Sequence, residues 1–308
     1  MRGKSHNVLN VLLLALFTTI PALTVHGQQM FVVNAGHVEI GEYTTSGTAV
    51  NASLVSGLFY ITGMAFNGDD LFVAREFQTV GLAQSGSIGE YTMSGATINA
   101  SLVTGLNYPV ALAVGGGKIY VANYGYGGPG SIGEYTTNGA TVNASLVSGV
   151  TPVGVALDGN NLIVANWGLD TVGEYTTGGT TVNASLISGL NYPYALAANG
   201  SDFFIANYAS GTVGEYTTNG TTVNASLITG LSEPDGLALY GGNLFVANNG
   251  NGTIGEYTTN GVPVNASLVT GLGSPYGIVV VPEPASCVLV ALGASMLLGS
   301  CRLCRRLS

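Results

Sequence analysis

The stretch GEYTTNGTTVNASLITGL, residues 214–231, recurs almost unchanged along this chain of 308 residues. Successive copies of its Gly-Glu-Tyr core start 48, 44, 40, 41 and 41 residues apart. The six cores begin at Gly41, Gly89, Gly133, Gly173, Gly214 and Gly255. An internal repeat of roughly 40–50 residues is typical of solenoids and β-propellers, so the period narrows the fold before any single motif is considered.

Each copy of the repeat divides into four short strands. In the copy spanning residues 234–272, turn-forming sequences occur at Gly241-Gly242, at residues 249–252 and at Asn260-Gly261. An Asn-Gly pair favours a tight hairpin because both residues tolerate positive φ. The second-strand phrase recurs as LFVAR at 71, IYVAN at 119, LIVAN at 162, FFIAN at 203 and LFVAN at 244. Four-stranded units repeated around an axis are propeller blades, so the sequence predicts an all-β, six-bladed β-propeller.

The ends of the repeat array indicate how the ring closes. The first copy begins at MFVVNAG, residues 30–36, which already matches a second strand. After the sixth copy, SPYGIVVV at residues 274–281 matches the missing first strand. We therefore expect residues 274–281 to pair with residues 30–34, so that both ends of the array complete one blade and no inner edge is left unpaired.

The recurring phrase itself has a structural interpretation. The GEYTTNG part corresponds to a third strand and its turn, and the NASL part to the outermost strand of each blade. Glycine in the third strand is expected where a neighbouring blade approaches closely. The tyrosine two residues later is expected to pack across that gap, and the Asn, Ser and Thr of the last strand suit an exposed edge.

Both ends of the chain resemble export signals. Residues 1–27 resemble a secretory signal peptide, with Arg2 and Lys4 before an apolar stretch and small residues at its end. Residues 285–301 contain no charge, and a helix of that length would be about 25 Å long, near the thickness of a bilayer core. We expect a transmembrane helix there, behind a propeller at residues 28–281. Its membrane stop is the basic cluster Arg302, Arg305 and Arg306.

Residues 281–308 resemble a known bacterial sorting signal. The motif Val281-Pro282-Glu283-Pro284, an apolar segment and a terminal arginine cluster are similar to the PEP-CTERM signal of exported proteins. The resemblance implies a bacterium that makes exopolysaccharide. It also implies an exosortase-type partner that processes the chain in the membrane, so that the protein stays anchored or is released to the cell surface or matrix.

The central repeat resembles the NHL-type and YVTN-type propellers over residues 29–281, through phrases such as PYALAANGSDFFIANYASGTVGEY at residues 193–216. Lyases, lactonases and pure binding modules share such repeats, so the resemblance implies a fold and leaves the function open.

Charge excludes one class of partner. Arg75 and Lys118 are the only bases in residues 28–281, whereas all 16 acidic residues of the chain except Glu283 lie there. Nucleic-acid binding depends on contacts from Lys and Arg to phosphates. The sequence therefore predicts no binding of DNA or RNA.

Catalytic chemistry is also poorly represented. Catalysis needs a concentrated set of acids, bases, nucleophiles or metal ligands, and residues 28–281 contain one histidine, His37, and no cysteine. The positions expected to line the central funnel are Thr62, Val110, Val153, Tyr194, Asp235 and Tyr276. Because one carboxylate among them makes a poor active site, we expect no enzyme, no cofactor and no metal.

Several polar positions recur once per blade and have two interpretations each. The third-strand glutamates could form calcium sites, but radial symmetry would keep them far apart, which favours structural hydrogen bonds. The Asn that ends the second strand favours a local turn over a polar binding ring, and Arg75 replaces it once. The NAS sequons favour strand-edge residues over glycan sites. The glutamates are Glu42, Glu90, Glu134, Glu174, Glu215 and Glu256. The second-strand residues are Asn34, Asn123, Asn166, Asn207 and Asn248, and the sequons start at Asn51, Asn99, Asn143, Asn183, Asn224 and Asn265.

Aromatic residues are distributed unevenly between the two predicted faces. The links between blades and the links from second to third strands carry Tyr60, Tyr108, Tyr124, Tyr126, Trp167, Tyr192, Tyr194, Tyr208 and Tyr276. The opposite, Gly-rich hairpin turns carry almost none. Amphipathic rings are common at binding surfaces, so these residues, with Asp235 and Arg75, form a candidate ligand face. The alternative is that the rings wedge between blades.

These observations favour an exported, non-catalytic binding or structural module of the bacterial envelope or matrix, with exopolysaccharide or an envelope protein as partner. A lyase or lactonase would need a polar funnel. Ice binding would need a flat array of threonines, whereas propeller edges curve.

Overall fold

Each copy of the repeat folds into one four-stranded antiparallel sheet, and the six sheets are arranged as blades of a propeller. The computed structural model describes residues 28–77, 85–125 and 127–281. The signal peptide expected at 1–27, the residues Pro282, Glu283 and Pro284, the helix expected at 285–301 and the terminal arginines lie outside the described residues. Among the residues that are described, no helix is long and apolar enough to cross a membrane.

The strands follow one another in the order predicted from the repeat. They are β1 (Gln29–Asn34), β2 (Glu39–Thr44), β3 (Ala49–Ser56), β4 (Ile61–Asn67), β5 (Asp70–Phe77), β6 (Ser85–Thr92), β7 (Thr97–Leu106), β8 (Pro109–Gly115), β9 (Lys118–Asn123), β10 (Gly130–Thr136), β11 (Thr141–Val150), β12 (Pro152–Asp158), β13 (Asn161–Asn166), β14 (Thr171–Thr176), β15 (Thr181–Ser188), β16 (Pro193–Ala198), β17 (Asp202–Asn207), β18 (Thr212–Thr217), β19 (Thr222–Ile228), β20 (Pro234–Tyr240), β21 (Asn243–Asn248), β22 (Thr253–Thr258), β23 (Pro263–Val269) and β24 (Pro275–Val281). Short 3-10 turns occupy Ala35–His37, Trp167–Leu169 and Asn249–Asn251.

The ring closes as the sequence predicts. Blade 1 has the strand order β24-β1-β2-β3, so its innermost strand comes from the far end of the array. Strand β24 runs antiparallel to β1, with Gln29 opposite Val281 and Val32 opposite Ile278. The expected pairing of residues 274–281 with residues 30–34 is therefore confirmed. The inner strands β4, β8, β12, β16, β20 and β24 contact one another in a closed circle.

The hydrophobic core is divided among the interfaces between blades. Six clusters of buried side chains occur in the described residues, and each combines two adjacent blades. The tyrosine of each Gly-Glu-Tyr core belongs to these clusters. Tyr175 of blade 4, for example, packs with Tyr120 and Val147 of blade 3. The expectation that this tyrosine packs across the gap between blades is confirmed.

The repeated glycines have two different roles, one of which corrects the sequence interpretation. In the third strand, a Cβ at Gly255 would lie 2.7 Å from the ring of Tyr257 and 3.1 Å from the carbonyl oxygen of Ala266. The glycine is therefore covered by its own blade, and the expected approach of a neighbouring blade at this position was wrong. That approach occurs at the following turn, where Gly261 has φ +79° and its hydrogen faces the carbonyl of Leu227 on the preceding blade.

Candidate functional site

The two ends of the propeller differ in the kind of connection they carry. Links between blades and links from second to third strands lie at one end, which we call the loop face. The two hairpin turns of each blade lie at the other end, which we call the turn face. Inner strands begin at the loop face, so the residues that open each inner strand surround the mouth of the central channel.

Six backbone hydrogen bonds organise the loop face. In every blade, the residue before the inner strand accepts a bond of 2.9–3.1 Å from the N–H of a residue near the end of the second strand or directly after it. The pairs, acceptor first, are Tyr60 with Glu76, Tyr108 with Tyr124, Thr151 with Trp167, Tyr192 with Tyr208, Glu233 with Asn249, and Ser274 with Ala35. The face therefore has one scaffold and different side chains, with aromatic residues concentrated on blades 2 to 5.

Four of the acceptor residues adopt a left-handed backbone conformation. Tyr60, Tyr108, Tyr192 and Glu233 have φ between +51° and +60°. This region costs a non-glycine residue about 1–2 kcal/mol, and such strain is concentrated at ligand and active sites. Three large aromatic rings and one carboxylate are thus held at equivalent positions around the channel at an energetic cost.

Three of the five asparagines that end the second strands, Asn34, Asn166 and Asn207, hold the adjoining link in place. Asn166 Oδ1 accepts a bond from Thr151 N at 3.2 Å, and Asn34 Oδ1 accepts from Gly273 N at 2.8 Å. The partners lie in the adjoining link, whereas the sequence predicted a turn two residues along. Asn166 also bonds to the Tyr175 hydroxyl.

Arg75 replaces this asparagine in blade 2. It occupies the register of the asparagines, opposite Ile61, and forms a hydrogen bond with the hydroxyl of Tyr91. Tyr91 is buried at the interface between blades 1 and 2. Of the residues in the candidate ligand face, Arg75 is thus engaged in blade packing rather than at the channel.

Bulges aim one side chain of each inner strand into the channel. The pairing of inner and second strands shifts register just after the first inner-strand residue, for example between Pro234 and Gly236 in blade 6. A bulge redirects the extra residue, which here is Asp235. The channel forms a cavity of about 110 Å³, and its lining includes all six positions that the sequence predicts for it. We call them the channel ring: Thr62, Val110, Val153, Tyr194, Asp235 and Tyr276.

A wider cavity lies above the channel ring on the loop face. Its volume is about 340 Å³, and it shares Thr62, Val110, Tyr194 and Tyr276 with the channel below. The remaining lining residues are Ala35, Val38, Phe59, Tyr60, Ile61, Glu76 and Tyr108. This mouth cavity lies within the size range of small-ligand sites, about 300–1,000 Å³.

A continuous line of aromatic rings extends from the mouth cavity across blades 3 to 5. The ring centroids of Tyr108 and Tyr124 are 5.8 Å apart, those of Tyr124 and Trp167 are 6.3 Å apart, and those of Trp167 and Tyr192 are 4.7 Å apart. Tyr192 is 41% exposed. We call these four residues the aromatic row. Tyr126 lies outside the described residues.

A second aromatic group lies at the channel itself. Tyr194 is 6.0 Å from Tyr208 and 6.5 Å from Tyr276, measured between ring centroids. Tyr60, at 50% exposed, lines the mouth cavity without joining either group. The loop-face aromatics also take part in blade packing. The cluster between blades 3 and 4 is contacted by Tyr108, Tyr124, Trp167 and Tyr194, and the cluster between blades 1 and 2 by Tyr276. The alternative that these rings wedge between blades therefore holds for part of the set.

Asp235 is the central charged group of the channel. Its side chain is 5% exposed, and Oδ2 accepts a 2.5 Å hydrogen bond from Asn249 Nδ2. Within the described part of the chain, Oδ1 is buried and has no hydrogen-bond partner. Burial raises the pKa of Asp235 to about 7, and the nearby carboxylate of Glu233 adds to the shift.

The surrounding tyrosines remain protonated at neutral pH. Burial raises the pKa of Tyr108 to about 12, and its hydrogen bond with Glu76 contributes. Burial and a hydrogen bond to Glu233 raise the pKa of Tyr208 to about 12. Burial, with Asp235 nearby, raises the pKa of Tyr194 well above its ordinary value. The mouth thus presents neutral phenols beside carboxylates.

Four of the six recurring glutamates and all six sequons have structural partners. Each of Glu42, Glu174 and Glu256 accepts a bond of 2.6–2.7 Å from the side chain that opens the second strand, and Glu134 pairs with Lys118 at 2.9 Å. In all six outer strands, the sequon Asn Oδ1 accepts a bond of 3.0–3.2 Å from the N–H of the Ser two residues on. Within residues 28–77, 85–125 and 127–281, no group of three or more His, Cys, Asp or Glu side chains could hold a metal ion.

The fold and site define a six-bladed β-propeller with an asymmetric, aromatic and acidic loop face. No protein-family model and no curated protein matches the chain. Among solved structures, a chain of a nidogen/laminin complex is similar with a TM-score of 0.67 and 17% identity, covering 82% of this chain and 98% of that chain.

Two bacterial proteins of known structure are also similar. A functionally unknown protein from Desulfotomaculum acetoxidans has a TM-score of 0.60 and 17% identity, covering 84% of this chain and 100% of that chain. A gluconolactonase from Xanthomonas campestris has a TM-score of 0.59 and 13% identity, covering 72% of this chain and 82% of that chain. At these identities the similarity shows the fold alone.

Proposed function

We propose that this chain is a non-catalytic carbohydrate-binding propeller of the bacterial envelope or matrix. The observation that carries the proposal is the aromatic row, which leads across three blades to a mouth cavity lined by four tyrosines and the carboxylate of Glu76. Sugar rings have apolar faces that stack on aromatic rings, and their hydroxyls bond to phenols and carboxylates. A row of rings suits a polymer better than a single small molecule.

The ends of the sequence support delivery of this face to the cell exterior. The signal-peptide pattern at residues 1–27 and the PEP-CTERM resemblance at residues 281–308 favour export and processing by an exosortase-type enzyme. The exopolysaccharide that this resemblance implies would then be the polymer encountered first.

A sugar lactonase is the second candidate. The similarity in fold to a gluconolactonase directs attention to it, and Asp235, with a pKa raised to about 7, has the property of a proton-transfer group. Against it, Asp235 is the single carboxylate of the channel ring, and the ring otherwise consists of Thr, Val and Tyr.

The experiment is a glycan-array and native-exopolysaccharide binding assay on the purified chain. Trp167→Ala and Tyr192→Ala shorten the aromatic row, and we expect each to weaken retention about tenfold. Val223→Ala, at a 54% exposed outer-strand position, is the matched control. Absence of binding to every polysaccharide, or equal binding by all three variants, would contradict the proposal. Hydrolysis of a sugar lactone that Asp235→Asn abolishes would favour the second candidate.

A further inference from the structure

We infer that the channel mouth binds a primary ammonium group, so that the polysaccharide is one that carries free amines on its sugar residues. The inference rests on the proposed function for the polymer, but the ammonium site has its own structural basis. That basis is a buried, incompletely bonded carboxylate at the floor of a tyrosine-lined cavity.

Asp235 provides the anionic partner. One of its oxygens is held by Asn249, and the other is buried at the channel without a hydrogen-bond partner among the described residues. A buried carboxylate is costly unless it is paired or hydrogen-bonded. The strand bulge turns Asp235 toward the channel, where a donor that is also a cation compensates the charge best.

Tyrosine rings provide the rest of the site. Tyr194 and Tyr276 lie beside Asp235 in the channel ring, and both also line the mouth cavity with Tyr108. The faces of aromatic rings attract cations within about 6 Å. Val110 and Val153 complete the ring with apolar surface, which favours a single small cationic head over a strongly hydrated ion.

No resident cation occupies this role in the described part of the chain. Arg75 is bonded to Tyr91, and Lys118 is paired with Glu134 at 2.9 Å. His37 interacts with Asn34 at 2.8 Å and lies 3.6 Å from Glu39. Glu76 and Glu233 add negative charge near Tyr276. The mouth therefore attracts cations and repels uronate or sulfate polymers.

The donor set distinguishes an ammonium from a calcium ion. Calcium takes 6–8 oxygen ligands at one point, whereas the channel ring supplies one carboxylate with one open oxygen. An ammonium has three donors, which can be shared between Asp235 and the tyrosine hydroxyls. The mouth cavity of about 340 Å³ is at the lower end of ligand-site volumes, and the channel of about 110 Å³ beneath it would receive the amine.

The test compares matched ligands by calorimetric titration of the purified chain. We expect a glucosamine tetramer to bind at least tenfold more tightly than its N-acetylated counterpart. Asp235→Asn, which keeps the size of the side chain, should remove this preference, and Asp69→Asn on the turn face should keep it. A preference below twofold, or one that survives Asp235→Asn, would overturn the inference while leaving carbohydrate binding intact.

A second experiment tests the ammonium site with small molecules, independently of any polysaccharide. Butylammonium and butanol have the same chain length, and only the former should raise the melting temperature of the purified chain, with no effect on Asp235→Asn. Stabilisation by butylammonium without binding of either tetramer would support the ammonium site and contradict the proposed function. Equal effects of the two probes, or stabilisation by calcium alone, would overturn the ammonium assignment.

Discussion

Trp167 and Tyr192 stack with their ring centroids 4.7 Å apart and their planes 24° apart. Trp167 follows the second strand of blade 4, whereas Tyr192 precedes the inner strand of blade 5. The stack therefore couples two blades at the loop face in addition to forming part of the aromatic row.

This coupling is measurable by a double-mutant cycle. We expect Trp167→Ala and Tyr192→Ala together to destabilise the fold less than the sum of the two single changes, with an interaction free energy of about 0.5–1.5 kcal/mol. Urea unfolding of the four proteins provides the values. Trp167→Ala combined with Val223→Ala should be additive, and an additive result for the stacked pair would show that the contact contributes nothing.

Two glycines with nearly the same backbone conformation predict different costs for substitution by alanine. Gly261 and Gly271 have nearly the same φ, +79° and +78°, but only at Gly261 would a Cβ meet backbone, the carbonyl of Leu227. We expect Gly271→Ala to cost about 1 kcal/mol from its left-handed backbone. Gly261→Ala adds a clash of about 1–3 kcal/mol. Melting temperatures test the difference, and similar losses would contradict the role assigned to the turn.

Ring closure predicts that strand β24 is indispensable to stability. Fragments 28–281 and 28–273 differ only in residues 274–281, which include the buried Ile278 and Val281. We expect the shorter fragment to lose more than about 5 kcal/mol, because one blade loses its inner strand and two interfaces are opened. Thermal unfolding followed by circular dichroism is the measurement. A decrease of one or two degrees would refute closure by this strand.

The buried Asp235 predicts a decline in stability with rising pH. Its pKa is raised from 3.8 to about 7, so the folded chain holds this proton more tightly than the unfolded chain does. The free energy of unfolding therefore falls as the pH rises from about 4 to about 7, by about 4 kcal/mol from this group. Burial, and the neighbouring Asp70 and Asp202, also raise the pKa of Glu90 and Glu215 respectively, which act in the same direction.

The contribution of Asp235 to the pH dependence of stability is measured by comparing the stability profile of the parent chain with that of Asp235→Asn. Asp235→Asn should flatten the decline between pH 4 and 7, whereas Asp69→Asn, at an exposed turn, should leave it unchanged. Denaturant titrations at several pH values supply the curves. Parallel profiles for the parent chain and Asp235→Asn would show that this carboxyl titrates normally.

The blade count, the order of strands and the closure by residues 274–281 could all be predicted from the sequence. The spacing of the repeats and the absence of a first strand in the first copy are visible in the sequence itself. The physical reason why glycine recurs at the position of Gly255 could not be predicted from the sequence. Pattern indicates that a side chain is excluded there, but it does not tell whether the obstacle is a neighbouring blade or the ring of Tyr257.

The candidate site was predicted in composition and only partly in geometry. The channel ring could be named because each member directly precedes a Gly or an Ala near the start of its inner strand. The bulge that turns Asp235 inward depends on strand register, and the left-handed backbone at Tyr60 depends on the link between blades. Arg75 looked exceptional by type, yet its hydrogen bond to Tyr91 matches that of Asn166 to Tyr175.

The pairing of Gln29 with Val281 also places the first and last strands of the propeller with their outer ends on the same face. Both residues lie at the ends of β1 and β24 that reach the turn face. The described chain therefore enters and leaves the propeller at the turn face, whereas the mouth cavity opens at the loop face on the opposite side.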